Sequence, residues 1–119
     1  MVTVEDVRRL AGTLPRAYEV LVRDCIKFRV GSLVFVAFSR DESLMGFGFP
    51  KEERADLVAN RPDTFQLPSS GDMRYRWVVA KMSALEPDEM HELVIEAWRM
   101  CVPKFVARAY LEGADLERQ

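Results

Sequence analysis

Four basic side chains are the residues of this chain best suited to chemistry. Lys27 and Arg29 occupy alternate positions in the run IKFRV, and Arg74 and Arg76 do so in the run RYRWV. Alternate residues of a β-strand project from the same face, so each run presents two positive charges on one side of a sheet. If both strands share one exposed face, the four cations form a patch that binds phosphates.

Neighbouring residues allow a functional and a structural interpretation of this patch. Tyr75 or Tyr18 would lie beside the patch at its edges, where an aromatic ring could stack on the bases of a single strand. Glu19 and Asp24 could instead pair with the cations across strands and leave an ordinary solvated sheet face. The sequence leaves both interpretations open.

Residues suited to catalysis are few. His91, the only histidine, falls off the apolar stripe of the last predicted helix and is expected on the surface. Cys25 and Cys101 have neither CxxC spacing nor an assignable histidine partner, and Cys101 is expected to be a small core residue. Gly46 and Gly48 lack the third glycine and the strand-turn-helix context of a dinucleotide-binding loop. The sequence therefore predicts a protein that is not an enzyme.

Acidic residues gather near the start of the last predicted helix. Negative charge at this end of a helix is stabilised by the helix dipole, which explains the cluster without a ligand. A metal site is the alternative, but zinc and iron sites usually need several His or Cys ligands and the chain has one histidine. No metal and no cofactor is expected. The acidic residues are Glu86, Asp88, Glu89, Glu92 and Glu96.

The composition fits one domain, taken as residues 1–119 with an ordered core over about residues 3–110. A net charge of −2 and a pI near 5.5 count against a strong non-specific nucleic-acid binder. Residues 1–40 nevertheless carry seven Lys or Arg against four Asp or Glu, so a local basic patch stays open. No segment approaches the roughly 18 apolar residues of a membrane span, and no signal-peptide core is present. We expect a reduced cytoplasmic protein.

Hydrophobic periodicity indicates the elements that position these side chains. Apolar residues recur at helical spacing over Thr3–Leu14, and Thr3 with Asp6 resembles a capping box. The period changes to two over Tyr18–Phe49, where Gly31-Ser32 is typical of a two-residue hairpin turn. The chain therefore starts with a helix that several antiparallel strands follow.

A second, short helix is predicted over Lys51–Asn60, which offers only a weak apolar face. The segment 61–72 is rich in Pro, Ser and Asp and is expected to be a loop. Phe65 and Leu67 are expected to anchor this loop in the core.

The chain ends with a strand and a long helix. Alternation predicts the strand over Arg74–Met82. Pro87 suits the first turn of the helix, and Pro103 is expected to kink it or to end its first part. The order of elements predicts an α+β fold, a two-layer sandwich with an antiparallel sheet and the helices on one face.

Five segments together resemble the MmcQ/YjbR family, in the same order along the chain. They span nearly all of it, from about residue 3 to about residue 110. No single segment is diagnostic, whereas five in order make the resemblance fairly specific. The segments are KFRVGSLVFVAF (27–38), FPKEERADLV (49–58), RPDTF (61–65), RYRWVVAKM (74–82) and ELVIEAWRMCVPK (92–104).

The resemblance implies an α-β(3)-α-β(2)-α sandwich, likened to the CyaY and secretion-chaperone folds. Members of the family are generally labelled DNA-binding on the strength of a proposed double-wing surface, and no catalytic residues are established for them. A function taken from a fold in this way is an analogy.

Carried over by position, the resemblance assigns several roles. Trp77 and Trp98 are expected in the core, since both lie on apolar stripes. Arg99 and Lys104 are expected either to contact phosphate or to cap helix carbonyls. The chain departs from the family at Asp24-Cys25-Ile26, where many members carry a Gly-His-Pro-like step, so a function that needs that histidine is not expected here.

These observations predict a non-catalytic nucleic-acid-binding module that contacts phosphates through a basic sheet face. The alternative is a protein-interaction or chaperone-like module with no nucleic-acid role, which the acidic pI and the many Met and Phe residues favour. A third hypothesis, by analogy with CyaY, is a small molecule or metal ion bound at the acidic helix. Nucleic acid and protein stay open as partners, as does the oligomeric state. The candidate nucleic-acid-binding residues are Lys27, Arg29, Arg74, Arg76, Arg99 and Lys104.

Overall fold

A computed structural model describes the backbone of residues 1–118 and the side chains of residues 1–113. Within this part of the chain, four α-helices and one antiparallel sheet of six strands are present, with the strand order β1-β2-β3-β4-β6-β5. The elements are α1 (Val4–Ala11), β1 (Ala17–Val22), β2 (Cys25–Val30), β3 (Leu33–Phe38), β4 (Leu44–Gly48), α2 (Lys51–Asn60), β5 (Phe65–Gln66), β6 (Trp77–Lys81), α3 (Pro87–Arg99) and α4 (Lys104–Arg118).

The N-terminus of α1 confirms the predicted capping box. The Thr3 hydroxyl accepts a hydrogen bond from the Asp6 backbone N–H at 3.2 Å, and the Asp6 carboxylate accepts one from the Thr3 N–H at 2.9 Å. The two bonds satisfy donors that a helix start otherwise leaves open. The apolar face of α1 packs into the core through Val7 and Leu10.

Two tight turns connect the first three strands. Gly31, in the β2–β3 turn, has a φ of 59°, as its glycine predicts. The β1–β2 turn consists of Arg23 and Asp24, whose φ values of 51° and 65° match a type I′ turn. Neither residue is a glycine or an asparagine, so the residue types indicate this turn only weakly.

The core lies between one face of the sheet and the helices. Phe28, Val36, Phe47 and Val78 pair in register across β2, β3, β4 and β6, and all four are buried. Trp98 of α3 packs on this layer with no exposed surface, and its indole N–H donates to the Pro15 carbonyl at 2.8 Å. The predicted α+β two-layer sandwich is confirmed, as is the core position of Trp98.

The strand count differs from the family pattern. Four strands, β1 to β4, precede α2, where the α-β(3)-α-β(2)-α pattern has three. The extra strand arises because Arg23 and Asp24 fold the segment 17–30 back on itself as a hairpin. The strands β2, β3, β4 and β6 follow one another along the chain in the predicted order.

The second half of the chain confirms two predictions and corrects two. Phe65 is buried as expected, but Leu67 is 42% exposed because β5 ends at Gln66 and the chain leaves the core. The break at Pro103 is confirmed, since α3 ends at Arg99 and α4 begins at Lys104. The predicted strand Arg74–Met82 begins only at Trp77. In the part of the chain that the structure describes, no helix is long and apolar enough to cross a bilayer.

Candidate binding cleft on the open face of the sheet

The face of the sheet opposite the core carries a row of mostly small side chains. Lys27, Ala37, Gly46 and Val79 pair in register across β2, β3, β4 and β6, directly beside the buried row. Because side chains alternate along each strand, this row faces away from the core. Ala37 and Gly46 form a shallow floor between a cation on β2 and the residues of β6.

Trp77 covers part of this floor. Its indole lies over Gly46 so closely that a Cβ placed on Gly46 would stand 2.4 Å from the indole Nε1. Val78 and Ala80 point into the core, which turns Trp77 and Val79 to the open face. Trp77 is half-buried there, so the prediction that it belongs to the core is wrong.

The strands β3 and β4 separate at one end of the sheet, and the gap between them extends the floor into a cleft. Pairing between β3 and β4 stops at Val36 and Phe47, next to a bulge in β3. Beyond that point Gly48 meets α3, where a Cβ on Gly48 would lie 3.7 Å from the Ala97 Cβ. The resulting cavity has a volume of about 600 Å³. The charged, aromatic and thiol side chains in its lining are those of Lys27, Asp72, Tyr75, Arg76, Trp77 and Cys101.

A buried arginine holds one wall of the cleft. Arg54 of α2 is only 8% exposed, and its guanidinium donates to the Met73 carbonyl at 2.7 Å and to the Tyr75 carbonyl at 2.8 Å. A third, longer contact of 3.4 Å reaches the Trp77 carbonyl. The planar fork of arginine suits several acceptors at once. Arg54 therefore positions the segment that carries the two aromatic rings.

The role of Arg54 was not predicted from the sequence, because α2 offers only a weak apolar face. A signal was present: Arg54 lies three and four residues before Leu57 and Val58, the half-buried residues of that helix. Positions at this spacing share one helix face. An arginine on the inner face of a helix indicates acceptors within the protein.

The cations of β2 lie on the open face, as predicted. Lys27 lines the cleft, and Arg29 is next along the same face between Tyr18 and Val34. The Arg29 Nε is enclosed and has no hydrogen-bond partner among residues 1–113. Neither cation forms an ion pair with a carboxylate of those residues.

One of the two proposed cross-strand partners of these cations has another role. Glu19 pairs with Phe28 on the core side of the sheet, and its carboxylate accepts from the Arg8 guanidinium of α1 at 2.7 Å. The interpretation in which Glu19 neutralises Lys27 and Arg29 is therefore wrong.

Arg74 and Arg76 do not project from a strand, which corrects their predicted placement. They precede β6 because Arg54 binds the carbonyls of Met73 and Tyr75 and holds this segment as a turn. Arg76 lines the cleft, and Arg74 stacks beside it on Tyr75 with 4.8 Å between guanidinium carbon and ring centroid. Arg76 therefore still lines the cleft, and Arg74 lies at its rim.

The last two candidates lie apart from the cleft lining. Arg99 is exposed at the end of α3 and pairs with Glu96 at 3.0 Å. Lys104 is the exposed first residue of α4. The structure thus brings Lys27, Arg29 and Arg76 to one face, with Arg74 at its rim.

The thiol of Cys101 is not activated. Burial raises the pKa of Cys101, and the nearby Arg76 charge opposes this rise only in part. A thiol with a raised pKa stays protonated at neutral pH and is a poor nucleophile. Cys101 thus contributes an apolar wall to the cleft.

The acidic residues of α3 are spread over separate contacts. Glu89 pairs with Arg61, and Glu96 pairs with Arg99. Within the described residues, no group of three or more His, Cys, Asp or Glu is placed to hold a metal ion. His91 is exposed and borders a second groove of about 820 Å³ between α1, α3 and α4.

The fold and the cleft define a class: a small α+β sandwich whose sheet has one helix-covered face and one open face with basic and aromatic side chains. The family model YjbR matches residues 12–100, which is most of the chain. The protein belongs to the YjbR family.

A solved structure shares this fold. The chain is similar to the Deinococcus radiodurans protein DR2400, described as having a DUF419 domain, with 18% sequence identity and a TM-score of 0.75. The match covers 92% of this chain and 88% of that one. Among curated proteins, no match was found. At this identity the similarity concerns the fold.

Proposed function

We propose that the protein is a non-catalytic module that binds single-stranded nucleic acid in the cleft on the open face of its sheet. The observation that carries this proposal is the floor of small residues between Lys27 and Trp77. A cation on one side and an aromatic ring on the other match the two parts of a nucleotide, its phosphate and its base.

Each part of the cleft has a role in this function. Lys27, Arg29 and Arg76 contact the phosphates, and Arg74 adds charge at the rim. Trp77 and Tyr75 offer ring faces to unstacked bases, a contact worth about 1–3 kcal/mol per base. A volume of about 600 Å³ lies within the range of small-ligand pockets. Such a cleft suits splayed bases and not a stacked duplex.

The charge balance limits the affinity. With Arg74 at the rim counted as a fourth phosphate contact, the slope of log K against log salt is about −0.7 for each of four contacts, or roughly −3. Affinity then falls about 50-fold between 50 and 200 mM salt. The net charge of −2 repels nucleic acid elsewhere on the surface and confines binding to the cleft. We place this function in the cytoplasm, where single-stranded RNA is abundant.

The test is fluorescence anisotropy with a labelled single-stranded oligonucleotide and its duplex, at several salt concentrations. The Lys27→Glu, Arg76→Glu double variant should lose binding at least tenfold and flatten the salt slope. Arg9→Glu is the matched control, since Arg9 is an exposed cation on α1 in the other layer. It should bind as the wild type does.

A second measurement separates base stacking from charge. The chain has two tryptophans, and Trp98 is fully buried, so a ligand in the cleft should quench Trp77 alone. Trp77→Leu should weaken binding about tenfold with an unchanged salt slope. Unaltered binding in the charge-reversal variant, or no binding at low salt, would overturn the proposal. Binding of an acidic peptide without any oligonucleotide would assign the cleft to a protein partner instead.

A further inference from the structure

One carboxylate lies among the cations of the cleft. Of the described residues in the lining, Asp72 is the only acidic one. The Ser69 hydroxyl donates a hydrogen bond to its Oδ2 at 3.2 Å, and no lysine or arginine of residues 1–113 forms an ion pair with it. A carboxylate has two oxygens with about four acceptor positions. Most of the acceptor capacity of Asp72 is therefore open to a ligand.

The backbone holds Asp72 next to the aromatic side of the cleft. Asp72 ends a short 3₁₀ turn, and its N–H donates to the Ser69 carbonyl at 2.9 Å. The carbonyl of Asp72 in turn accepts from the Tyr75 N–H at 3.0 Å. The following residue, Met73, is the one whose carbonyl binds the Arg54 guanidinium at 2.7 Å. Asp72 and Tyr75 thus belong to one turn that is anchored to α2.

A negative charge in a cleft that binds phosphates weakens this binding unless the carboxylate contacts another part of the ligand. Lys27 and Arg76 in the same lining attract phosphate, and Asp72 repels it. An ionised carboxylate accepts hydrogen bonds and cannot donate them. In a nucleotide, the edge of the base carries the N–H donors. The contact that offsets the repulsion is therefore one between Asp72 and a base.

The bases differ in the donors that they offer to a carboxylate. Guanine has two adjacent donors on its Watson–Crick edge, N1–H and N2–H, which match the two carboxylate oxygens as the fork of arginine does. Adenine and cytosine have an amino group beside an acceptor nitrogen, and uracil and thymine have one N–H between two carbonyls. In these four bases an acceptor would lie against a carboxylate oxygen. A carboxylate at the edge of a bound base thus favours guanine.

We propose that Asp72 makes the cleft selective for guanine, with its two carboxylate oxygens accepting hydrogen bonds from N1–H and N2–H of the bound base. The aromatic rings of Tyr75 and Trp77 hold a base of any kind, whereas Asp72 selects among them. This inference rests on the proposed function, since it names the base that the nucleic-acid site prefers. One guanine in the cleft is enough for this selectivity.

Fluorescence anisotropy with a labelled oligothymidylate and its variants at one central base tests the selectivity. The wild-type protein should bind the strand with a central guanine about tenfold more tightly than the unsubstituted strand, as a bidentate contact to a base predicts. Hypoxanthine keeps N1–H but lacks the 2-amino group, so its strand should have an intermediate affinity. 7-Deazaguanine keeps the Watson–Crick edge and should bind as guanine does. A single guanine in each strand also avoids four-stranded structures.

The Asp72→Asn variant tests whether the carboxylate is the cause. The amide has the same shape but only one acceptor oxygen beside a donor, so it cannot accept from both guanine donors. Asp72→Asn should lose the preference of about tenfold for guanine, and its affinity for oligothymidylate should rise because a negative charge is gone. Asp56→Asn is the matched control, since Asp56 is exposed on α2 outside the cleft lining. It should keep the preference.

The outcomes separate this inference from the proposed function. If the wild type binds guanine and thymine strands equally, the selectivity is wrong and the nucleic-acid function stands. If Asp72→Asn binds every strand more tightly and keeps the preference, the carboxylate only opposes the cations, and its role in reading the base is overturned. If no strand binds at low salt, the proposed function fails, and the selectivity fails with it.

Discussion

Removal of the Arg54 guanidinium is the sharpest test of how the cleft is built. Arg54→Met keeps most of the apolar stem but leaves the carbonyls of Met73 and Tyr75 without their donor. Hydrogen bonds to a charged group contribute about 1.5–3 kcal/mol each. The two short bonds predict a loss of about 3–6 kcal/mol, and the contact of 3.4 Å to Trp77 adds little. Partial rehydration of the freed segment brings the expected loss to about 3 kcal/mol.

Urea unfolding followed by circular dichroism measures this loss. Arg54→Lys should recover about half of it, since one ammonium cannot fork between two carbonyls as a guanidinium does. Lys51→Met is the matched control on the same helix, where the side chain is exposed, and it should change stability by less than about 0.5 kcal/mol.

Limited proteolysis shows where the loss acts. Trypsin should cleave Arg54→Met after Arg74 or Arg76 much faster than the wild type, because the segment is no longer held to α2. If Arg54→Met unfolds within about 0.5 kcal/mol of the wild type and resists trypsin equally, the guanidinium does not hold the wall and the reasoning fails.

Two further predictions follow from the same structure. Gly46→Ala should displace the Trp77 indole, red-shift its fluorescence emission and lower the free energy of unfolding by about 1–3 kcal/mol. Gly71→Ala is the control, because Gly71 has open space around it, and it should change neither the emission nor the stability. Equal spectra for both variants would contradict this packing. Hydrogen bonds from Ser43 and Ser39 lower the pKa of Asp41 from 3.8 to about 2. A carboxyl with a lowered pKa stabilises the fold fully above the unfolded value and loses that contribution as pH falls through the folded value. Asp41→Asn should therefore unfold at lower urea than the wild type at about pH 6, and the difference should shrink as pH falls through about 2; a constant difference would count against the turn as its cause.

Much of the fold followed from local pattern. The alternation around Phe28 and Val36, the capping box at Thr3 and the break at Pro103 all reflect interactions within a few residues, so the sequence alone was enough. The β1–β2 turn was harder, because Arg23 and Asp24 adopt positive φ without the usual glycine or asparagine.

The candidate site was only partly predictable. Alternation placed Lys27 and Arg29 on one face, since their strand is regular up to the bulge. It failed for Arg74 and Arg76, because a distant side chain on α2 binds the carbonyls there and interrupts the strand. It also failed for Trp77, whose apolar character suits the core while its position in β6 turns it outward.

The sequence by itself determined the class of fold, the places of the helices in the element order and the face of β2 that carries Lys27 and Arg29, because periodicity encodes which side of an element is buried. Only the tertiary structure decided that the indole of Trp77 lies over Gly46, that Arg76 shares a cleft with Lys27, and that Glu19 turns to α1. Those outcomes depend on contacts between residues far apart in the chain, which no local pattern records.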